Sequence, residues 1–202
     1  MAVSLTSLKL RASWVDYLRE ISCVKTRTTG ISRWALIRLW LAPRLRATHP
    51  HLGVKRAIDE GPIPGPRIYP SEIGLSQYSG HIDFRNPNYP PKQWGGPLDP
   101  IEQIGFAYLV NSPDEVRMVV RHNLYKGATQ IKMAASGSVS GIADPLYVLE
   151  FTEKKIEAAV QAAEDFGTYV QVHAHNAAAI KRALKAGVKT IEFRAKNSMV
   201  FT

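Results

Sequence analysis

Cysteine is almost missing from this 202-residue chain, where Cys23 stands alone. A single cysteine excludes an intramolecular disulfide and a thiolate metal cluster. Long apolar runs are missing too: none approaches the roughly 20 residues that span a bilayer. The chain therefore reads as a soluble protein with no membrane partner, cytoplasmic by default. No G-x-G-x-x-G or G-x-x-x-x-G-K-[ST] loop is present, so a nucleotide-phosphate cradle has no support. Acids are scarce at one end. Residues 1–56 hold eleven Lys and Arg against Asp16 and Glu20, whereas fifteen basic and fifteen acidic residues cancel over 57–202. The formal charge of +9 thus belongs to the first quarter of the chain, and so abrupt a change marks a boundary.

That basic segment has three readings. Arg33, Trp34, Arg38, Trp40, Arg44 and Arg46 mix cations with stacking rings, as a polyanion-binding arm would. MAVSLTSLKLRASWV contains Ser and Arg and no acid, as a targeting peptide would. ISRWALIRLWLAPRLRATHP, however, spreads its arginines all round a helical wheel and is interrupted by Pro43 and Pro50. The favoured reading of 1–51 is an irregular segment that does not fold with the remainder, and nucleic acid is not the expected partner. Residues 52–202 form the domain.

Within that domain, LGVKRAIDEG (52–61) reads as a helix stopped by Gly61, and GPRIYP (65–70) as a short strand between prolines. Residues 71–111 read as a long loop rich in Pro, Gly, Asn and Tyr, of the kind that covers an active site. Ser112-Pro-Asp-Glu115 is a capping box with Pro at the first helical position. Val116, Val119, Val120 and Leu124 follow as an apolar stripe, ended by Gly127 and the strand ATQIKM. A second round starts at Thr152 with Ile156, Ala159, Val160 and Ala163, then Gly167 and TYVQVHA. A third starts at Asn176 with Ile180, Ala183 and Leu184, then Gly187 and VKTIEF. Helix, glycine, strand, three times over, is the rhythm of parallel α/β units. Doubly wound sheets and barrels share it, and periodicity does not choose between them.

Chemistry gathers at the strand ends. Lys132 closes GATQIKM and His173 and His175 close TYVQVHAHN, the positions from which a barrel hydrolase presents ligands to its mouth. A free lysine is protonated at neutral pH, but its carbamate with carbon dioxide offers two oxygens to metal ions. Neutral imidazole is a common ligand for zinc. His49-Pro-His51 follows no readable strand and is not taken as a ligand pair. His81, in SGHIDF, is placed to contact substrate from the loop. His122 falls on an exposed helix face.

Four stretches, LGVKRAIDEGPIPGPRIY, SGHIDF, GATQIKMAASGSVS and VQVHAHNAAAIKRALKAGVKTIEF, resemble the metal-dependent amidohydrolase superfamily in order and spacing. The resemblance covers about residues 52–193. It is nearest to the imidazolonepropionase-like and Xaa-Pro dipeptidase-like branch. It implies a (β/α)8 barrel, present here as its middle strands, about the third to the sixth. It implies one or two divalent cations, usually zinc, and hydrolysis of an amide or peptide-like C–N bond by metal-bound hydroxide. Lys132 matches the carboxylated lysine after the fourth strand, and His173 the ligand after the fifth. His175 and His81 match positions beside substrate or behind the ligands. The implied substrate is small, an N-acyl amino acid or a dipeptide.

The pattern is also broken. No H-x-H stands where the family's first strand carries one, since His49 and His51 lie too close to GPRIY. The sixth-strand motif I-E-H reads Ile191-Glu192-Phe193, and phenylalanine cannot ligate. The chain ends at Thr202, ahead of the strands expected to carry the aspartate that acts as ligand and base. Of six expected groups, Lys132 and His173 are present. Loss of pattern at both ends is what reading-frame shifts or misplaced gene boundaries would produce. The expected function is a metal-dependent amidohydrolase present as a truncated chain with little activity alone. The alternative is a non-catalytic barrel remnant or binding module that needs a partner, and self-association through exposed strand edges is compatible with either.

Overall fold

The computed structural model of the chain describes residues 50–138 and 144–192. Segment 1–49, with Cys23 and His49, and tail 193–202, with Phe193, lie outside the described residues. The chain divides into two compact units, of which one includes Gly53–Tyr69 and the other includes Pro70 onward. In the first, helix α1 (Pro50–Asp59) extends past the boundary between the units and is followed by Gly61 at φ +91°. The expected strand GPRIYP does not form: Ile68 is a single bridging residue in an otherwise irregular stretch. Pro66 and Pro70 remove two backbone donors from so short a segment, which leaves little for a ladder to pair with.

The second unit is built on a five-stranded, wholly parallel sheet. Its strands are β1 (Gly74–Ser76), β2 (Ala107–Leu109), β3 (Ile131–Ala134), β4 (Val170–His173) and β5 (Thr190–Glu192), in the order β2-β1-β3-β4-β5. The long loop of 71–111 therefore hides two strands, together with the one-turn helix α2 (Pro100–Gln103). Three-residue strands such as GLS carry no readable alternation, so periodicity passes over them. They nonetheless pair in full register, Gly74 with Ala107, Leu75 with Tyr108 and Ser76 with Leu109.

The three expected α/β units are present. Helix α3 (Pro113–Tyr125) begins with both halves of the capping box: Glu115 N donates to Ser112 Oγ at 3.1 Å, and Ser112 N donates to Glu115 Oε2 at 3.2 Å. Helix α4 (Glu153–Glu164) follows Thr152, which makes no side-chain cap bond. Helix α5 (Ala177–Lys185) is capped by Asn176, whose Oδ1 accepts from Ala179 N at 2.8 Å. Gly127 turns the chain after α3 at φ +106°, a value that only glycine adopts freely, and Gly167 and Gly187 stand in the same place after α4 and α5. None of the described helices is long and apolar enough to cross a membrane.

Register sorts the sheet into two chemically different faces, because paired residues share a face and neighbours along a strand alternate. Leu75, Ile131, Met133, Val170 and Val172 lie on one face and are buried with Val116, Val120, Ile156, Ala159, Ile180 and Ala183 from the helices. Burial of a side chain of this size contributes about 1.5–3 kcal/mol, which makes this layer the main support of the unit. Leu184 does not join it. It is exposed, so the apolar stripe of α5 is narrower than the sequence implies. The other face carries the polar Ser76, Lys132, Gln171, His173, Thr190 and Glu192, with the apolar Ala107, Leu109 and Ala134 among them.

Candidate active site

The polar face gathers the expected site residues. Lys132 pairs in register with Gln171, and Ala134 with His173. Lys132 therefore does not end its strand, as the sequence implied. It sits two residues short of the end of β3 and below the level of His173. Lys132 and His173 remain on neighbouring parallel strands, on one face and near one end. Lys132 is buried and forms an ion pair with Glu192 of β5. Glu192 is also the register partner of His173.

Three imidazoles meet above this pair of strands. His173 stacks on His81, with ring centroids 4.7 Å apart and planes within 3°. His175, just beyond β4, meets His173 edge-on at 4.5 Å. His175 does not continue the strand, so the shared strand face expected for the two residues gives way to this T-shaped contact. Burial, then the neighbouring charges of His81, His175 and Lys132, pushes His173 down to about 3. It is neutral at pH 7, the form with a lone pair. His122 lies on the exposed face of α3, as expected.

Two carboxyl groups complete the cluster, and sequence reasoning passed over both. Asp144 Oδ2 lies 3.1 Å from His81 Nδ1 and accepts from Ser138 N at the same distance. Glu150 Oε1 accepts from His81 N at 2.6 Å, and its Oε2 accepts from Ser76 Oγ at 3.3 Å. Both side chains are buried. Burial pushes Glu150 up to about 8, with Asp144's negative charge adding to the effect. Glu150, standing in the apolar run LYVLEF, was the available signal. A carboxyl among residues that bury is either paired or protonated.

A model of the amidohydrolase family matches residues 44–199. The chain belongs to the amidohydrolase family. It is 34% identical over 152 residues to ochratoxinase of Aspergillus niger, a match that covers 69% of this chain and 30% of that protein. It resembles a prolidase solved in complex with N-methylphosphonate-L-proline, at 39% identity and a TM-score of 0.60, covering 69% of this chain and 33% of that one. A Xaa-Pro dipeptidase with methionine bound in its active site gives 34% identity and a TM-score of 0.59, covering 71% and 34%. The chain thus spans about a third of the length of the relatives it matches. Its five parallel strands are part of the (β/α)8 barrel that such structures form.

The family generally uses a divalent metal. The residues of this chain fit one only in part. Among the described residues, no three His, Cys, Asp or Glu side chains are grouped so as to hold an ion. The Lys132 ammonium is paired with Glu192, and an ammonium has no lone pair to give. His173, neutral and buried, has the right chemistry for one donor. The described residues thus supply at most part of a coordination shell.

Proposed function

We propose that this amidohydrolase carries the central part of a site that hydrolyses amide or peptide-like C–N bonds of small N-acyl amino acids or dipeptides. In this reading zinc is the metal. His173 gives one donor and Lys132, once carboxylated, another, and the described residues supply no full shell beyond these. His81 and His175 flank His173 and contact substrate. The observation that carries the reading is the placement of Lys132 and His173 on one face of neighbouring parallel strands, with two further histidines against the second. Relatives that act on proline dipeptides or carry ochratoxinase activity by name support the substrate class.

A catalytic zinc typically takes three protein ligands and one open position, so the isolated chain is expected to bind zinc weakly and to turn over little. Zinc titration in bicarbonate buffer tests the donor assignment. Weak binding that disappears in both His173→Ala and Lys132→Ala supports it, and binding indifferent to both substitutions rejects it.

A second reading, a non-catalytic module, draws on the Lys132–Glu192 pair. In that reading the ion pair is permanent and fills the place of the metal. It predicts no zinc binding under any of these conditions.

A further inference from the structure

We infer that Asp144 and Glu150 are positioning residues for His81, fixing the proton and the plane of an imidazole that lies against His173. The inference deepens the proposed hydrolase reading, which supplies His81 with a substrate to contact. The clamp itself stands on geometry alone.

His81 occupies a tight turn between β1 and the 3-10 turn at Lys92–Trp94, and it is held at two points. At the ring, Nδ1 lies 3.1 Å from Asp144 Oδ2, and the Asp144 side chain is 2% exposed. A carboxylate only accepts, so Nδ1 carries the proton, and in the neutral ring that leaves the lone pair on Nε2. Asp144 is itself fixed, because the same oxygen accepts from Ser138 N at 3.1 Å. At the backbone, His81 N donates to Glu150 Oε1 at 2.6 Å. Ser76 Oγ then ties the arrangement to the sheet, donating to Glu150 Oε2 and accepting from Ile82 N, each at 3.3 Å.

Gly80 makes the approach of turn to carboxyl feasible. A Cβ there would lie 2.6 Å from Glu150 Oε2 and 2.7 Å from Ser76 Oγ. Both carboxyl groups come from one segment, pinned to the end of β3 by the Ser136–Leu149 bridge and by Glu150 N donating to Ala135 O at 3.1 Å. Glu150 thus holds the backbone while Asp144 partners the ring. In its neutral form, a His81 held this way offers an acceptor nitrogen at Nε2. It suits a substrate N–H or a water O–H rather than a carbonyl oxygen.

The test is the tautomer of His81 in the metal-free, substrate-free full chain at neutral pH. Two-bond 1H–15N spectra of histidine-labelled protein resolve six histidines, and His81→Gln assigns the signal. The expected result is a protonated Nδ1 and a bare Nε2, changing to the Nε2–H form or an averaged mixture in Asp144→Ala and returning in part in Asp144→Glu. Glu150→Ala is expected to keep the tautomer but lose the ring-to-ring contact between His81 and His173. A wild-type His81 with its proton on Nε2 overturns the proposal even if no variant folds. An unchanged tautomer in folded Asp144→Ala, or an unchanged ring contact in folded Glu150→Ala, overturns the role of that residue. Because neither metal nor substrate is present, failure here leaves the hydrolase reading standing, and failure of zinc binding leaves this result untouched.

Discussion

Lys132 and Glu192 reach across β4 to form an ion pair, with Lys132 buried and Glu192 partly so, joining the strands on either side of Gln171 and His173. Removing one partner strands the other charge in a site that water barely reaches. Glu192→Leu or Lys132→Met alone should cost about 3 kcal/mol. The double substitution Lys132→Met, Glu192→Leu should cost far less than the sum, because no charge is left unpaired. Urea unfolding of the four proteins measures the coupling, and a coupling near zero would remove this pair from the account.

Glu150 should make the protein less stable as the solution becomes more alkaline. Its carboxyl is raised from the ordinary 4.5 to about 8 in the folded state, so the folded state holds a proton that the unfolded chain has released. The stability tied to that proton is full below about pH 4.5 and is lost as pH rises through 8. His173 has the opposite sign. Lowered to about 3, it adds stability that is full above about pH 6.5 and declines on acidification. Of these two effects, only that of Glu150 varies between pH 6.5 and 8, at about 1.4 kcal/mol per pH unit at most. Urea midpoints over that window should fall for the wild type and stay nearly flat for Glu150→Gln.

Ser112→Ala should remove one half of the capping box and lower stability by about 1 kcal/mol, while Ser112→Asp should keep most of it. Thermal unfolding followed by circular dichroism is a sufficient check. Equal midpoints for the wild type and Ser112→Ala would mean that Glu115, bonded to Asn111 N at 2.6 Å as well, holds the turn unaided.

What the sequence made legible were features written in local periodicity or chemistry. Ser112, Asn176 and the glycines after α3, α4 and α5 mark helix ends because capping and left-handed turns are decided within a few residues. β1 and β2 went unread because three residues are too few to show alternation, and their partners lie far away in sequence. Lys132, Gln171, His173 and Glu192 alternate with Met133, Val172 and Ile191, so the two-faced sheet was visible in principle. Which carboxyl meets which base was not. Asp144 and His81, or Glu150 and Ser76, are brought together by loops whose paths no periodic pattern encodes.

The most direct measurement is zinc content and turnover of the purified 202-residue chain, loaded with zinc in bicarbonate and offered Xaa-Pro dipeptides and other N-acyl amino acids. The proposed site predicts less than one retained zinc per chain after gel filtration, little or no hydrolysis, and loss of the remaining zinc in His173→Ala. One tightly held zinc with many turnovers per chain would contradict it, and would mean that His175, His81, His49 or His51 completes a coordination shell that the described residues do not show.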